Sequence, residues 1–133
     1  MILLTQSQRA LLLANGRMPD ADHIPVVKFF NPFGQGTWLA TELDEDGDTL
    51  FGLADLGYPE LGSWSLTEMA AIRLPFGMGI ERDLHFEGRF PISVWAEAAR
   101  AEGSINAAER VLYARAQGEG LAGFRSTETG GCP

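Results

Sequence analysis

The segment from Thr37 to Leu56 constrains the fold more than any other. Thr37–Leu43 and Thr49–Leu56 are two runs of strand-forming residues, and Asp44-Glu45-Asp46-Gly47-Asp48 stands between them. Asp-Gly flanked by such runs is a hairpin signal, because both residues tolerate the positive φ of a tight turn. Centring the turn on Asp46-Gly47 predicts that Leu43 pairs with Leu50, Thr41 with Gly52 and Leu39 with Ala54 on one face. The other face then pairs Glu42 with Phe51 and Ala40 with Leu53, and sets Trp38 opposite Asp55. Both faces are partly apolar, so the sheet is expected to be covered on one side and partly open on the other. Trp38 is expected in the core, sharing its face with Phe51 and Leu53, which would otherwise form an exposed apolar patch.

The remaining elements extend this hairpin. Val26–Phe30 is β-branched and aromatic and reads as a strand, followed by turn chemistry at Asn31–Gly36. Leu61–Trp64 reads as a short strand, and the alternation of Ile80–Phe86 as a fifth. Thr5 and Gln8 form a capping box that opens a helix closing at Asn15-Gly16. Ser65 and Glu68 form a second, opening a helix through about Ile72, which Arg73–Gly79 then breaks. Pro91–Ala101 and Ser104–Gln117 are alanine-rich and helical, hinged at Gly103. Gly118–Pro133 holds many glycines and reads as a disordered tail. The expected fold is α+β: a small antiparallel meander of four to five strands, helices packed on one face, and a C-terminal helical extension. With 133 residues, 45% of them apolar, residues 1–117 can form one domain around a core that needs no disulfide or metal.

Charge narrows the function. Between Lys28 and Arg73 there is no Lys or Arg, but there are eight acids: Glu42, Asp44, Glu45, Asp46, Asp48, Asp55, Glu60 and Glu68. The rest of the chain carries ten acids and ten bases, so the whole net charge of -8 belongs to this interval. A phosphate backbone would be repelled there, and direct nucleic-acid binding is not expected. The acids read either as a solvated surface or as a face for a basic protein partner, with Glu42, Asp44, Glu45, Asp46 and Asp48 as the contact residues. A second candidate patch is Arg73, Glu81, Arg82 and Asp83, where an arginine could meet a partner carboxylate bidentately.

Catalytic readings are weaker. Glu42 and Asp55 could act as a carboxylate pair with Trp38 lining the site. Glu81, Asp83 and His85 would share one face of a fifth strand as a carboxylate and histidine surface, or as a metal site. The plainer reading of both is ordinary polar solvation. Asp44, Asp46 and Asp48 are spaced like the start of an EF-hand loop. However, Thr49 stands where that loop needs glycine, Asp55 where it needs glutamate, and strands flank it. No zinc spacing, phosphate loop, dinucleotide fingerprint or serine elbow occurs, so no cofactor or metal is expected. No apolar run approaches the roughly 20 residues needed to span a bilayer. The opening MILLTQSQ lacks a basic residue, and the lone Cys132 suits a reducing compartment, so a cytoplasmic location is expected.

Several runs, in order, resemble a known family. They are Lys28-Phe29-Phe30, Thr37–Glu42, Phe51–Asp55, Glu60-Leu61-Gly62, Ser65–Glu68, Arg73-Leu74-Pro75-Phe76-Gly77 and Ile80–Leu84. The chain is identified by them as a member of domain-of-unknown-function family 2958, small bacterial proteins carried on plasmids, phages and integrative elements. The resemblance covers roughly residues 1–90. It implies a mobile-element setting and carries over no catalytic residue. The expected function is a non-enzymatic, acidic protein-binding accessory, whose targets could include a host defence complex with basic nucleic-acid surfaces. The alternatives are a small enzyme using Glu42 and Asp55 or Glu81, Asp83 and His85, and a purely structural oligomerising module.

Overall fold

The structure, a computed structural model, describes residues 2–125. Helix α1 (Gln6–Gly16) is followed by strands β1 (Val27–Phe30), β2 (Thr37–Leu43), β3 (Thr49–Asp55) and β4 (Pro59–Ser65). A short helix α2 (Leu66–Ala70), a single tight turn (Pro75–Gly77) and a two-residue strand β5 (Glu81–Arg82) come next, and helices α3 (Ile92–Glu102) and α4 (Ile105–Arg125) complete the described chain. The sheet is antiparallel throughout, in the order β4-β3-β2-β1-β5. The class is α+β, as the sequence implies.

The helices, however, cover both faces. Along β2, successive residues enter different cores: Trp38 and Ala40 join Leu12 of α1 with Val27, Phe29, Leu43 and Leu50, whereas Leu39 joins Leu53 with Trp95 of α3 and Leu112 of α4. The expectation of helices on one face, with the other partly open, is thereby corrected. A strand buried on both sides reads as a nearly continuous apolar run rather than an alternation, and Trp38-Leu39-Ala40 at the centre of β2 is such a run.

The hairpin register is also revised. Leu43 pairs with Leu50 and Glu42 with Phe51 as expected, but a bulge at Thr41 then shifts the partners by one. Ala40 faces Gly52, Leu39 faces Leu53 and Trp38 faces Ala54. Trp38 is core, on the face of Ala40 and Leu50 and not on that of Leu53. The bulge is satisfied locally: Asn15 at the end of α1 donates through Nδ2 to the Thr41 carbonyl at 3.0 Å, and the Thr41 hydroxyl donates to the Phe51 carbonyl at 3.1 Å. An extra residue in one strand normally leaves a backbone group to be satisfied elsewhere, and α1 supplies the partner.

The first capping box forms as read, with Thr5 and Gln8 bonding reciprocally. Gly16 lies inside α1 rather than capping it, and it is the close approach of β2 that calls for a glycine: an added Cβ would stand 2.4 Å from the Leu43 carbonyl oxygen. Ser65 caps α2, accepting from the Glu68 amide. The fifth strand is much shorter than Ile80–Phe86, because the Asp83 carboxylate accepts from the His85 amide at 2.9 Å and turns the chain. Helix α4 continues past Gln117 to Arg125, where the sequence suggests a tail. Residues 126–133, including Cys132, lie outside the described residues. Among the described residues, no helix is long and apolar enough to cross a membrane.

Candidate functional site

The meander has two ends, and the charged residues singled out in the sequence are divided between them. At one end is the hairpin of Asp44–Asp48. Its carboxylates act as internal acceptors. Asp46 Oδ1 accepts from the amides of Asp48 and Thr49, each at 2.8 Å, and its Oδ2 accepts from the Thr49 hydroxyl at 2.7 Å. Asp48 reaches across to α2, accepting from the Thr67 amide at 2.7 Å and the Ser65 hydroxyl at 2.8 Å. Asp44 accepts from the Asp46 amide at 3.2 Å. The Thr49 amide and hydroxyl hold Asp46 below the usual carboxylate range, and Thr67 and Ser65 do the same for Asp48. The hairpin is therefore a rigid, ionised turn that also caps a helix. The EF-hand-like spacing serves this geometry.

Glu42 and Asp55 are not brought together. Asp55 pairs with Thr37 at the opposite end of the β2–β3 ladder, five residues along the strand from Glu42, or roughly 16 Å. Asp55 is a cap: its Oδ2 accepts from the Ile105 amide that opens α4 at 3.0 Å, and its Oδ1 from the Gly57 amide at 3.0 Å. Glu42 is half-buried beside the apolar face, and loss of hydration pushes its carboxyl up, with His23 pulling the other way. A carboxyl whose folded pKa is raised destabilises the fold once it ionises, above the folded value, and does so not at all below the unfolded value. Glu42→Gln is therefore expected to raise the melting temperature at pH 7 and to leave it unchanged near pH 3. A loss of stability at pH 7 would show that the ionised Glu42 makes a favourable contact.

At the other end, the β1–β2 loop, strand β5 and the turn after it surround a cleft of about 470 Å³, lined by residues including Lys28, Asn31, Thr37, Glu81, Asp83 and His85. The structure thus gathers Glu81, Asp83 and His85 around one hollow, although not on one strand face: Glu81 comes from β5, and Asp83 and His85 from the turn after it. Among the described residues, no group of three His, Cys, Asp or Glu side chains is arranged to hold a metal ion. The cleft wall carries an ion triad that the sequence reading missed. Lys28, the chain's one lysine, is 9% exposed, and its Nζ lies 2.7 Å from Glu109 Oε1 on α4 and 3.8 Å from Asp83 Oδ2. A lysine inside the apolar run Val26–Phe30 was the available signal, since a buried ammonium needs a carboxylate partner. Its partner, 81 residues away on a helix, is not legible locally.

Beside this cleft, a second hollow of about 320 Å³ is lined by residues including Ile72, Arg73, Met78 and Glu81. The Arg73 guanidinium donates to the Ala71 carbonyl at 3.3 Å, and the Arg82 guanidinium to the Ile2 carbonyl at 2.9 Å. The loop Pro75–Met78 is a tight turn closed by the Met78 amide on the Pro75 carbonyl at 3.2 Å. Its two central residues, Phe76 and Gly77, both have positive φ, +62° and +73°. Asn-Gly is the usual occupant of such a turn, because a bulky side chain is disfavoured at its first central position. Here that position holds a phenylalanine that is 91% exposed. Its ring packs on that of Phe33, centroids 5.9 Å apart, and Phe33 is held out by Asn31, whose side chain accepts from the Phe33 amide at 2.8 Å. Leu84, on the cleft rim, is also exposed. The sequence marks Leu74-Pro75-Phe76-Gly77 as a break; that its aromatic ring points to solvent depends on the tertiary setting.

No curated protein and no solved structure matches the chain. The pattern of one protein family, described as "Protein of unknown function (DUF2958)", matches residues 3–106. The match passes the limit near residue 90 set by the resemblance alone and takes in α3, whose Trp95 is fully buried in the second core. Both faces of the sheet, both loops of the cleft and the Phe76 turn lie within it, and the chain belongs to the DUF2958 family.

Proposed function

We propose that the chain is a non-enzymatic protein-binding module that engages its partner through the end bearing Phe33, Phe76 and the cleft. The observation that carries this reading is Phe76: a nearly fully exposed aromatic ring in a backbone conformation that costs a non-glycine residue about 1–2 kcal/mol. Strain kept at a position that contributes little burial points to a use outside folding. Aromatic anchors dominate protein interfaces. Arg73, Glu81, Arg82 and Asp83 border the two hollows here and supply the charged rim such interfaces have. Two of the carboxylates offered for catalysis have structural work instead: Asp55 caps α4, and Asp83 turns the chain beside Lys28.

The net charge of the chain favours a basic protein partner, one with an apolar recess for the Phe76 ring. The net charge of -8 speeds encounter with such a surface, and the ionised hairpin keeps part of that charge fixed. In the mobile-element setting that the family resemblance implies, a host defence complex with basic nucleic-acid surfaces is a target of this kind. Affinity capture from host lysate tests the reading. Phe76→Asn and Phe33→Ser are each expected to reduce recovery of the captured partner at least tenfold relative to the unaltered chain. Equal recovery by all three would overturn it.

A further inference from the structure

The opposite edge of the sheet carries a separate feature. Strand β4 pairs with β3 residue for residue over all seven positions, from Thr49 with Ser65 to Asp55 with Pro59, without a bulge. It is the terminal strand of the sheet. Among the described residues, no side chain or backbone outside β3 hydrogen-bonds to the backbone of residues 60–64. Monomeric proteins protect such edges with lysines, bulges, prolines or very short strands. This one is long and regular, has no Lys or Arg, and has its single proline at the first position.

Gly62 is at its centre. Glycine weakens a strand, and within a strand it often marks a place where another backbone comes close. Nothing inside the molecule requires it here: a Cβ built at Gly62 meets no atom within 4 Å. Its cross-strand neighbour Gly52 is the contrast, since a Cβ there would stand 1.8 Å from the Leu39 carbonyl oxygen.

We propose that two copies of this chain associate through antiparallel pairing of β4 with β4, about a two-fold axis through Gly62, giving one continuous sheet across the dimer. The partner is a second copy because the strand is self-complementary in this register. Centring on residue 62 pairs all seven positions. It sets Glu60 opposite Trp64 and Leu61, itself 41% exposed, opposite Ser63. No like charges then face one another, and like charges directly opposite destabilise a ladder. The antiparallel sense also sends the two acidic hairpins to opposite ends of the dimer, because each sits at the Ser65 end of its own β4, where Ser65 bonds Asp48. The order of the sheet puts β4 at the edge away from β1 and β5, whose flanking loops carry Phe33 and Phe76, so this interface and the proposed partner site are independent.

Two variants of the full chain test it, both in a Cys132→Ser background. Cα atoms directly opposite in an antiparallel ladder are about 4.5–5.5 Å apart, within disulfide range. Gly62→Cys is therefore expected to form a disulfide-linked dimer under mild oxidation, at least tenfold faster than Thr67→Cys, an exposed position outside β4. Gly62→Lys sets two ammonium groups opposite each other where the folded chain itself has room for them. It should retain the circular dichroism of the unaltered chain while weakening the dimer at least 100-fold by light scattering, from twice the 14.4 kDa chain mass to that mass. A monomeric unaltered chain at 100 micromolar would overturn the proposal. So would a dimer that persists in Gly62→Lys, or cross-linking of Gly62→Cys no faster than that of Thr67→Cys.

Discussion

Gly52→Ala is expected to prevent stable folding. The added Cβ would lie 1.8 Å from the Leu39 carbonyl oxygen, 2.9 Å from the Leu39 carbonyl carbon and 3.0 Å from the Ala40 Cα. All three are backbone atoms of β2, held by the β1 ladder on one side and by β3 on the other. No side chain can rotate away, so β2 and β3 must separate at the middle of the sheet, where Leu39 and Leu53 are fully buried. The close approach sits next to the Thr41 bulge, and a bulge bends its strand and tightens the local twist. A loss above about 4 kcal/mol is expected, a size reserved for a few mechanisms such as core overpacking. Gly62→Ala, on β4 directly opposite Gly52, should keep the fold, since a Cβ there meets no atom within 4 Å. Thermal melts followed by circular dichroism separate the two. A Gly52→Ala chain that melts within a few degrees of the unaltered one would mean that the β2 backbone does not approach Gly52 this closely.

Glu109→Ala is expected to cost about 3 kcal/mol, the lower end for removing one partner of a buried ion pair, because Glu109 keeps 18% exposure. For a domain of this size that is a fall of about 10 °C in melting temperature. The loss comes mainly from the ammonium left behind: Lys28 would face Asp83 alone, at 3.8 Å. The double variant Lys28→Met, Glu109→Leu should recover most of it, since replacing both charges by apolar groups removes the desolvation cost. Urea unfolding of the single and double variants measures both effects. If the double variant is no better than Glu109→Ala, the pair contributes through specific hydrogen bonding rather than through avoidance of a buried charge.

These two expectations mark where the sequence was legible and where it was not. The Asp44–Asp48 turn, the Leu43–Leu50 pair and the Thr5–Gln8 capping box are local, each set by residues within a few positions of one another. The bulge at Thr41 is not. It depends on Asn15, 26 residues earlier, arriving to satisfy the Thr41 carbonyl, and no strand pattern encodes that. The second covered face escaped for a related reason. Trp38, Leu39 and Ala40 form an unbroken apolar run, and periodicity alone cannot tell a strand buried on both sides from one buried on a single side. The Asp55 carboxylate reads as a candidate acid because its partner, the Ile105 amide, is 50 residues downstream. Phe76 was visible as part of a motif, but its exposure and positive φ belong to the folded turn.

If the Phe76 ring is kept for binding and not for folding, the melting temperature of Phe76→Asn will show it. Asparagine is the preferred residue for the positive φ of this turn position, and the ring it replaces covers little apolar surface of the chain itself. Phe76→Asn is expected to melt at the temperature of the unaltered chain or a few degrees higher. A fall of five degrees or more would contradict it, because it would make the contact between Phe76 and Phe33 part of what holds the fold together.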